Sequence, residues 1–275
     1  MKMEKVLIIV KTYPTLSKKY DELVCTAGIL ENGGWVRIYP LPFRKLDYEK
    51  KYKKYQWVTL PLIKNQSDQR PESYKVGDIS KINLGDSIDT KNEWNERKKI
   101  ILDHNHIYSN LGKLITKAHD NELSLAIFKP TKILDFIIEK TKREWSQENL
   151  DLLKQKANQF SLFDSVEKVE KEFLIVNKLP YKFSYHFIDE AGKKSTLMIE
   201  DWEIGALYWN SLKSSDNNEK EAINMVKKKY LEEFSKKDIY LFLGTTHKYH
   251  KWAKNPFVII GVFYPPIIKQ RSLSF

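Results

Sequence analysis

The sequence predicts an α+β protein with largely antiparallel mixed sheets, interspersed helices and two subdomains. Three observations predict it. Short β-branched or aromatic runs are mixed with helix-period segments, without the regular strand–helix–strand alternation of a parallel α/β chain. Two pairs of strand-like runs are close neighbours, one broken at Pro130 and one joined by the turn DEAGK at 189–193, as antiparallel hairpins require. Apolar residues make up 41% of the chain and aromatic residues 13%, which supplies a core and excludes a disordered chain. Over 275 residues that core can serve one large domain or two modest ones. The expected division is a basic α+β module over 1–90 ending in a long polar loop, a mostly helical connection over 91–170, and an α+β module over 171–275.

The elements follow from pattern and punctuation. Residues 4–12 contain VLIIV, a β-branched run that reads as a buried strand, and Pro14 ends it. Ser17 can cap a helix reaching Leu30, with Tyr20, Leu23, Val24, Ala27 and Leu30 on one face and Asn32-Gly33-Gly34 as its stop. Residues 35–41 (WVRIYPL) alternate as a strand, with Arg37 and Tyr39 opposite Val36 and Ile38. Tyr48, Tyr52 and Tyr55 form an i, i+4, i+7 stripe, which predicts an amphipathic helix over 47–56. A strand follows at 57–63. Residues 64–90 turn polar and read as a long functional loop or interdomain connection. Helices are expected over 93–103 and 110–121, then two strands within 123–139. A helix capped by Ser146 is expected over 147–159. Strands at 173–177, 182–188 and 195–199 lead to a helix opened by Glu200 and Asp201, whose charge suits the helix dipole. A further helix over 219–234, a strand at 238–244, a loop at 245–255 and a strand at 256–264, stopped by Pro265-Pro266, complete the chain.

Charge gives the first functional direction. The net charge is +11, from 47 basic and 36 acidic residues, which points to a polyanionic partner. All but six of the basic residues are lysine, and an AT-rich genome alone raises lysine together with asparagine and isoleucine. Distribution is more informative than the total. Residues 1–75 hold 15 basic against 8 acidic side chains and three of the six arginines. Arginine's planar fork fits phosphate in a way lysine does not.

Two basic regions therefore become candidate phosphate contacts. In the N-terminal module these are Lys11, Thr12, Ser17 and Lys18 around a strand-to-helix turn, together with Arg37, Arg44 and Arg70, with Lys50, Lys53 and Lys54 in support. In the C-terminal module HKYHKWAK, 247–254, places Lys248, Tyr249, Lys251 and Trp252 in one loop, cations beside rings that bases can stack on. The expected function is nucleic-acid binding in the prokaryotic cytoplasm, as part of a genome-defence or nucleic-acid-processing system, with no cofactor.

Two alternatives stay open. Glu200, Asp201, His247 and His250 could hold a divalent metal that activates water in a nuclease or phosphodiesterase, or the chain could be an adaptor subunit of a larger protein complex. Several classes are excluded. The longest apolar runs fall far short of the ~20 residues a membrane helix needs, so no membrane partner is expected. The first residues carry too short an apolar stretch for a secretory signal. No glycine-rich phosphate cradle and no GxSxG elbow is present. The single cysteine, Cys25, precludes an intramolecular disulfide and reads as a small core residue.

Overall fold

The run at residues 6–10 is buried on both faces because the strand that carries it serves two cores. In the computed structural model, which describes residues 2–16, 22–41, 43, 46–146 and 177–267, this strand is β1, Lys2–Lys11. A two-stranded ribbon, β2 (Thr15–Leu16) with β3 (Glu22–Leu23), leads to β4, Thr26–Leu30. β1 pairs antiparallel with β4, and β4 with β5, Trp35–Ile38. On its other edge β1 pairs antiparallel with β6, Gln56–Lys64. β7, Ser73–Val76, bridges the remaining gap, parallel to β5 and antiparallel to β6. The sheet thereby closes into a five-stranded barrel in the order β1–β4–β5–β7–β6, and β8, Asn83–Ser87, adds to β6. Val6, Ile8, Val36, Ile38, Val58 and Leu60 fill its interior, as alternation along each strand requires.

The opposite face of the barrel wall packs on the second half of the chain. There α1 (Lys91–Lys98), β9 (Ile107–Tyr108) and α2 (Leu111–His119) precede β10, Leu125–Phe128. β10 joins β9, β14 (Tyr240–Thr245) and β15 (Phe257–Phe263) in a four-stranded sheet of order β15–β14–β10–β9. A three-stranded meander, β11 (Lys132–Lys140), β12 (Tyr181–Ile188) and β13 (Lys194–Met198), lies beside α3 (Trp202–Ser214) and α4 (Glu219–Lys227). The four-stranded sheet is the middle layer. Ala126, Phe128, Leu241 and Leu243 point to the aromatic core of Phe183, Tyr185 and Tyr208. Their neighbours Leu125, Ile127 and Phe242 point the other way, to Leu7, Ile9, Ala27 and Ile29 of the barrel. Each such side chain, fully removed from water, contributes roughly 1.5–3 kcal/mol.

The α+β class and most elements agree with the sequence pattern. Two helices do not form. The segment expected to run helically to Leu30 instead supplies β3 and β4, its Ser17 end lying outside the described residues. Thr26 and Gly28 are weak helix formers, and β1 and β5 offer β4 ladder partners on both edges. The tyrosine stripe also misleads. Only a 3-10 turn, Tyr48–Lys50, forms, because Tyr55 adopts φ 62°, and Tyr52 and Tyr55 enter different cores. The polar stretch 64–90 holds β7, a 3-10 turn and β8 rather than an open loop. The helix expected over 147–159 and nearly all of the strand expected over 173–177 lie outside the described residues.

One of the contacts between the two halves centres on Tyr13. Tyr13 donates its backbone N–H to the carbonyl of Glu200 (2.8 Å), and its ring lies on Gly205 of α3, where an added Cβ would stand 2.1 Å from the ring. The ring cannot swing away freely, since its hydroxyl donates to the Asn177 carbonyl (2.7 Å) and accepts from Trp209 Nε1 (2.8 Å). Glycine to alanine inside a helix ordinarily stabilises by up to about 1 kcal/mol. At this position the steric term wins: Gly205→Ala is expected to cost about 1–3 kcal/mol, read as a lower urea midpoint, and a raised midpoint would contradict the packing described.

Candidate functional site

Where the barrel meets the middle sheet, a cleft of about 530 Å³ opens. Thr12 and Tyr13 enter it from the end of β1, and Cys25, Arg37 and Tyr39 from the β4–β5 face. The connection between β6 and β7 contributes Asn65, Asp68 and Arg70. The second half of the chain closes the far wall with Glu200, Thr246, His247, Val258 and Ile260. The wall is therefore half polar edge and half apolar surface.

The SDQRPES segment is the most constrained part of this site. Arg70 donates from Nε to both Asp68 oxygens (2.9 and 3.2 Å), from Nη2 to Asp68 Oδ2 (2.6 Å), and from Nη1 to the Thr245 carbonyl. Ser73 Oγ donates to the same carboxylate (2.8 Å). Burial alone would raise the Asp68 carboxyl, but the hydrogen bonds and charge of Arg70 outweigh it and hold the carboxyl well below its usual range. Glu72 accepts from Ser124 N (2.9 Å) and Ser124 Oγ (2.6 Å). Ser124 in turn receives Arg37 Nη2 on its carbonyl (3.0 Å) and its hydroxyl (3.1 Å). Arg37, expected as a surface phosphate contact, is thus almost wholly buried. Burial and the nearby Arg70 charge lower its pKa.

Unsatisfied groups concentrate here. Among the described residues, three buried side-chain polar atoms lack a hydrogen bond: Arg37 Nε, Thr246 Oγ1 and Tyr208 Oη. The first two belong to cleft residues. Such atoms are rare in folded proteins and call for an explanation. Arg37 Nη1 has only the Cys25 sulfur at 3.8 Å. Cys25, read from sequence as a core residue, lines the cleft and is half-buried. The Glu200 carboxyl makes no hydrogen bond among the described residues, and burial raises its pKa.

The four residues of the metal reading are dispersed by structure. Glu200 and His247 face the cleft. Asp201 caps α3 through Glu203 N (3.3 Å) and accepts from Lys54 Nζ (3.3 Å); burial raises its carboxyl to about 6. His250 is buried and tied at Nδ1 to Thr245 Oγ1 (2.9 Å) and at Nε2 to Asn121 Oδ1 (2.8 Å). Among the described residues no three His, Cys, Asp or Glu side chains are placed to hold a metal ion. Burial, then the Arg70 and Arg37 charges, push His250 down to about 4. It is neutral at pH 7, so its Nε2–H donates to Asn121 and its Nδ1 accepts from Thr245.

The phosphate candidates separate into two groups. Ser17, Lys18 and Arg44 lie outside the described residues. Lys11 is half-buried, its Nζ donating to the Tyr52 carbonyl (3.4 Å) and lying over the Phe43 and Trp202 rings at 4.5 and 5.3 Å. Burial, then the neighbouring Lys54 charge, lowers it to about 8. The 247–254 loop is different. Trp252 is 67% exposed and Tyr249 42%, the rings meeting edge-on at 5.3 Å. Lys248 Nζ lies 5.2 Å from the Tyr249 ring, and Lys248 and Lys251 are exposed. This loop begins at His247, on the cleft wall.

Sequence reading missed Tyr13, Asn65, Ser124 and Thr246, ordinary polar residues whose positions depend on β6–β7 meeting β10 and β14; Glu72 was legible with Asp68 and Arg70 as the charges of one polar segment.

Two family models divide the chain. Residues 2–103 match a domain of unknown function, DUF8758, and residues 104–274 match another, DUF8757. Comparison with curated proteins returns no match. Among the described residues no helix is long and apolar enough to cross a membrane.

His250 gives the site a pH signature. Its pKa falls from the ordinary 6.5 to about 4 in the fold, so the unfolded chain binds the extra proton in between. Stability is full above about 6.5 and falls as pH drops toward 4, by about 3 kcal/mol in total. His250→Gln can keep both hydrogen bonds without titrating. Urea unfolding from pH 7.5 to 4.5 should show a loss steeper in the wild type by about 2–3 kcal/mol; parallel losses would refute the assignment.

Proposed function

The chain belongs to the DUF8757 family, which attaches no chemistry to it, and from its geometry we propose that it binds nucleic acid. The observation that carries this reading is the position of the cleft on the barrel. Leaving aside the short ribbon and β8, the barrel strands in chain order are β1, β4, β5, β6 and β7, closed as first–second–third–fifth–fourth. The third and fifth are parallel. That arrangement resembles the five-stranded OB barrel. OB barrels bind oligonucleotides or oligosaccharides on the second and third strands, between the first–second and fourth–fifth connections. Cys25, Arg37 and Tyr39 lie on or beside those strands, and Thr12, Tyr13, Asp68 and Arg70 lie in those connections. The argument is one of fold and place; the residues add the chemistry.

That chemistry favours nucleic acid over sugar. The loop that continues from His247 on the cleft wall carries Trp252 and Tyr249, exposed rings with two exposed lysines between and beside them. Bases stack on such rings and phosphates pair with such cations. Phosphate contact falls to Lys248 and Lys251, because Arg37 and Arg70 are committed to Ser124 and Asp68. The nuclease alternative has no comparable support, since its four residues are dispersed.

Fluorescence anisotropy with labelled single-stranded DNA, single-stranded RNA and duplex DNA at low salt checks the reading. Binding of at least one is expected. Trp252→Ala should weaken it about tenfold, within the ~1–3 kcal/mol of a stacked base. Replacing Lys248 and Lys251 by alanine should flatten the salt dependence by about one to two in log–log slope. No binding to any of the three at low salt would remove the proposal.

A further inference from the structure

We propose that the cleft receives a single unstacked nucleobase, read by hydrogen bonds at its edge; this deepens the nucleic-acid reading and rests on it. An OB barrel ordinarily offers an open groove along which a strand lies. In this protein β14, β15 and the turn at 245–247 stand across that groove and convert it into a cleft of about 530 Å³. That size lies within the ~300–1,000 Å³ typical of small-molecule sites, room for one nucleotide.

The lining discriminates among occupants. A bare phosphate is poorly served, because Asp68 already neutralises Arg70, Arg37 is held through Ser124 to Glu72, and the Glu200 carboxyl shares the wall. A hydrocarbon is no better served, since it would leave the Glu200 carboxyl and the Thr246 hydroxyl on the wall without partners. A nucleobase has apolar faces and a rim of donors and acceptors. Val258, Ile260 and the Tyr13 and Tyr39 side chains supply the apolar surface. Glu200 offers an acceptor, or a donor when protonated. Thr246 offers a hydroxyl. Pockets that accept flipped bases combine these features, with edge hydrogen bonds and apolar or aromatic side chains against the ring. Trp252 and Tyr249, in the loop that continues from His247, would then hold the bases that stay stacked.

The probes are the 5′-monophosphates of adenosine, guanosine, cytidine, uridine and thymidine, titrated by calorimetry, with inorganic phosphate and the free nucleosides as competitors. A second arm uses single-stranded oligonucleotides carrying 2-aminopurine, whose fluorescence rises when the base leaves the stack. At least one mononucleotide should bind, free nucleoside should displace it better than phosphate, and oligonucleotide binding should raise the 2-aminopurine signal. Glu200→Gln and Thr246→Val should each weaken mononucleotide binding at least tenfold, and Val258→Phe should suppress the fluorescence rise. Lys229→Ala, remote from the cleft, should change neither readout. Oligonucleotide binding with no mononucleotide binding and no fluorescence rise would overturn the base pocket and leave the nucleic-acid reading standing. Displacement by phosphate but not by nucleoside would also overturn it. Failure of every oligonucleotide to bind would overturn the parent reading, even if a mononucleotide binds.

Discussion

The structure depends on one sheet that has no solvent face. β10, β14 and β15 send alternate side chains into two cores, Leu241 and Leu243 to one side, Phe242 and Phe263 to the other. A strand buried on both faces must be apolar at nearly every position, and LFLG and FVIIGVF satisfy that demand. Because the same sheet serves both halves, the barrel cannot move away without exposing Leu7, Ile9 and Ile29 along with their partners. The join between the two family-model matches is thus a boundary in sequence, while the second core spans it.

The cleft follows from that join. Two surfaces of different curvature, a barrel wall and a flatter sheet, meet along their apolar centres and diverge at one end, where polar side chains collect. Hydrogen bonds from charged side chains fix the divergence. Glu72 reaches Ser124 at the start of β10, Arg37 reaches it from β5, and Arg70 reaches the carbonyl of Thr245 at the end of β14. Each is a barrel side chain with a partner in the other half. Buried charges are costly unless satisfied, so these arginines and carboxylates set the relative position of the halves more than they raise stability. They also leave the cleft close to neutral, since Asp68 balances Arg70.

A second polar group lies under the first. Lys54 reaches both Asp201 (3.3 Å) and Glu203 (2.9 Å), and these two carboxylates keep its amine charged despite burial. Among the described residues Lys11 has no carboxylate at ion-pair distance and is held by two aromatic faces and a carbonyl instead, so burial brings its pKa down although Glu203 and Asp201 oppose it. The contrast shows how one basic module yields lysines of opposite character. Composition counts both as positive charge; only Lys54 touches the carboxylates that balance it.

The sequence by itself determined the α+β class and the strands with strong local patterns: VLIIV, the pair around Pro130, the DEAGK hairpin and FVIIGVF. It also made the cations and rings of the 247–254 loop legible, because most of a polar segment between two buried strands faces solvent, although His250 turns inward. Tertiary structure decided the rest. The β4 segment carries a helix-like spacing of Leu23, Val24, Ala27 and Leu30, and ladder partners on both edges overrode it. Tyr52 and Tyr55 share a helical face only if a helix forms, and a left-handed Tyr55 sends them to separate cores. Arg37 and Arg70 were legible as special in a lysine-rich chain, yet only the fold shows them buried. Hydrogen-bond partners such as Ser124 and Thr245, 87 and 175 residues distant, leave no local pattern. Short-range periodicity reports what a segment can pair with nearby, whereas a buried charge is decided by what the chain brings to it from far away.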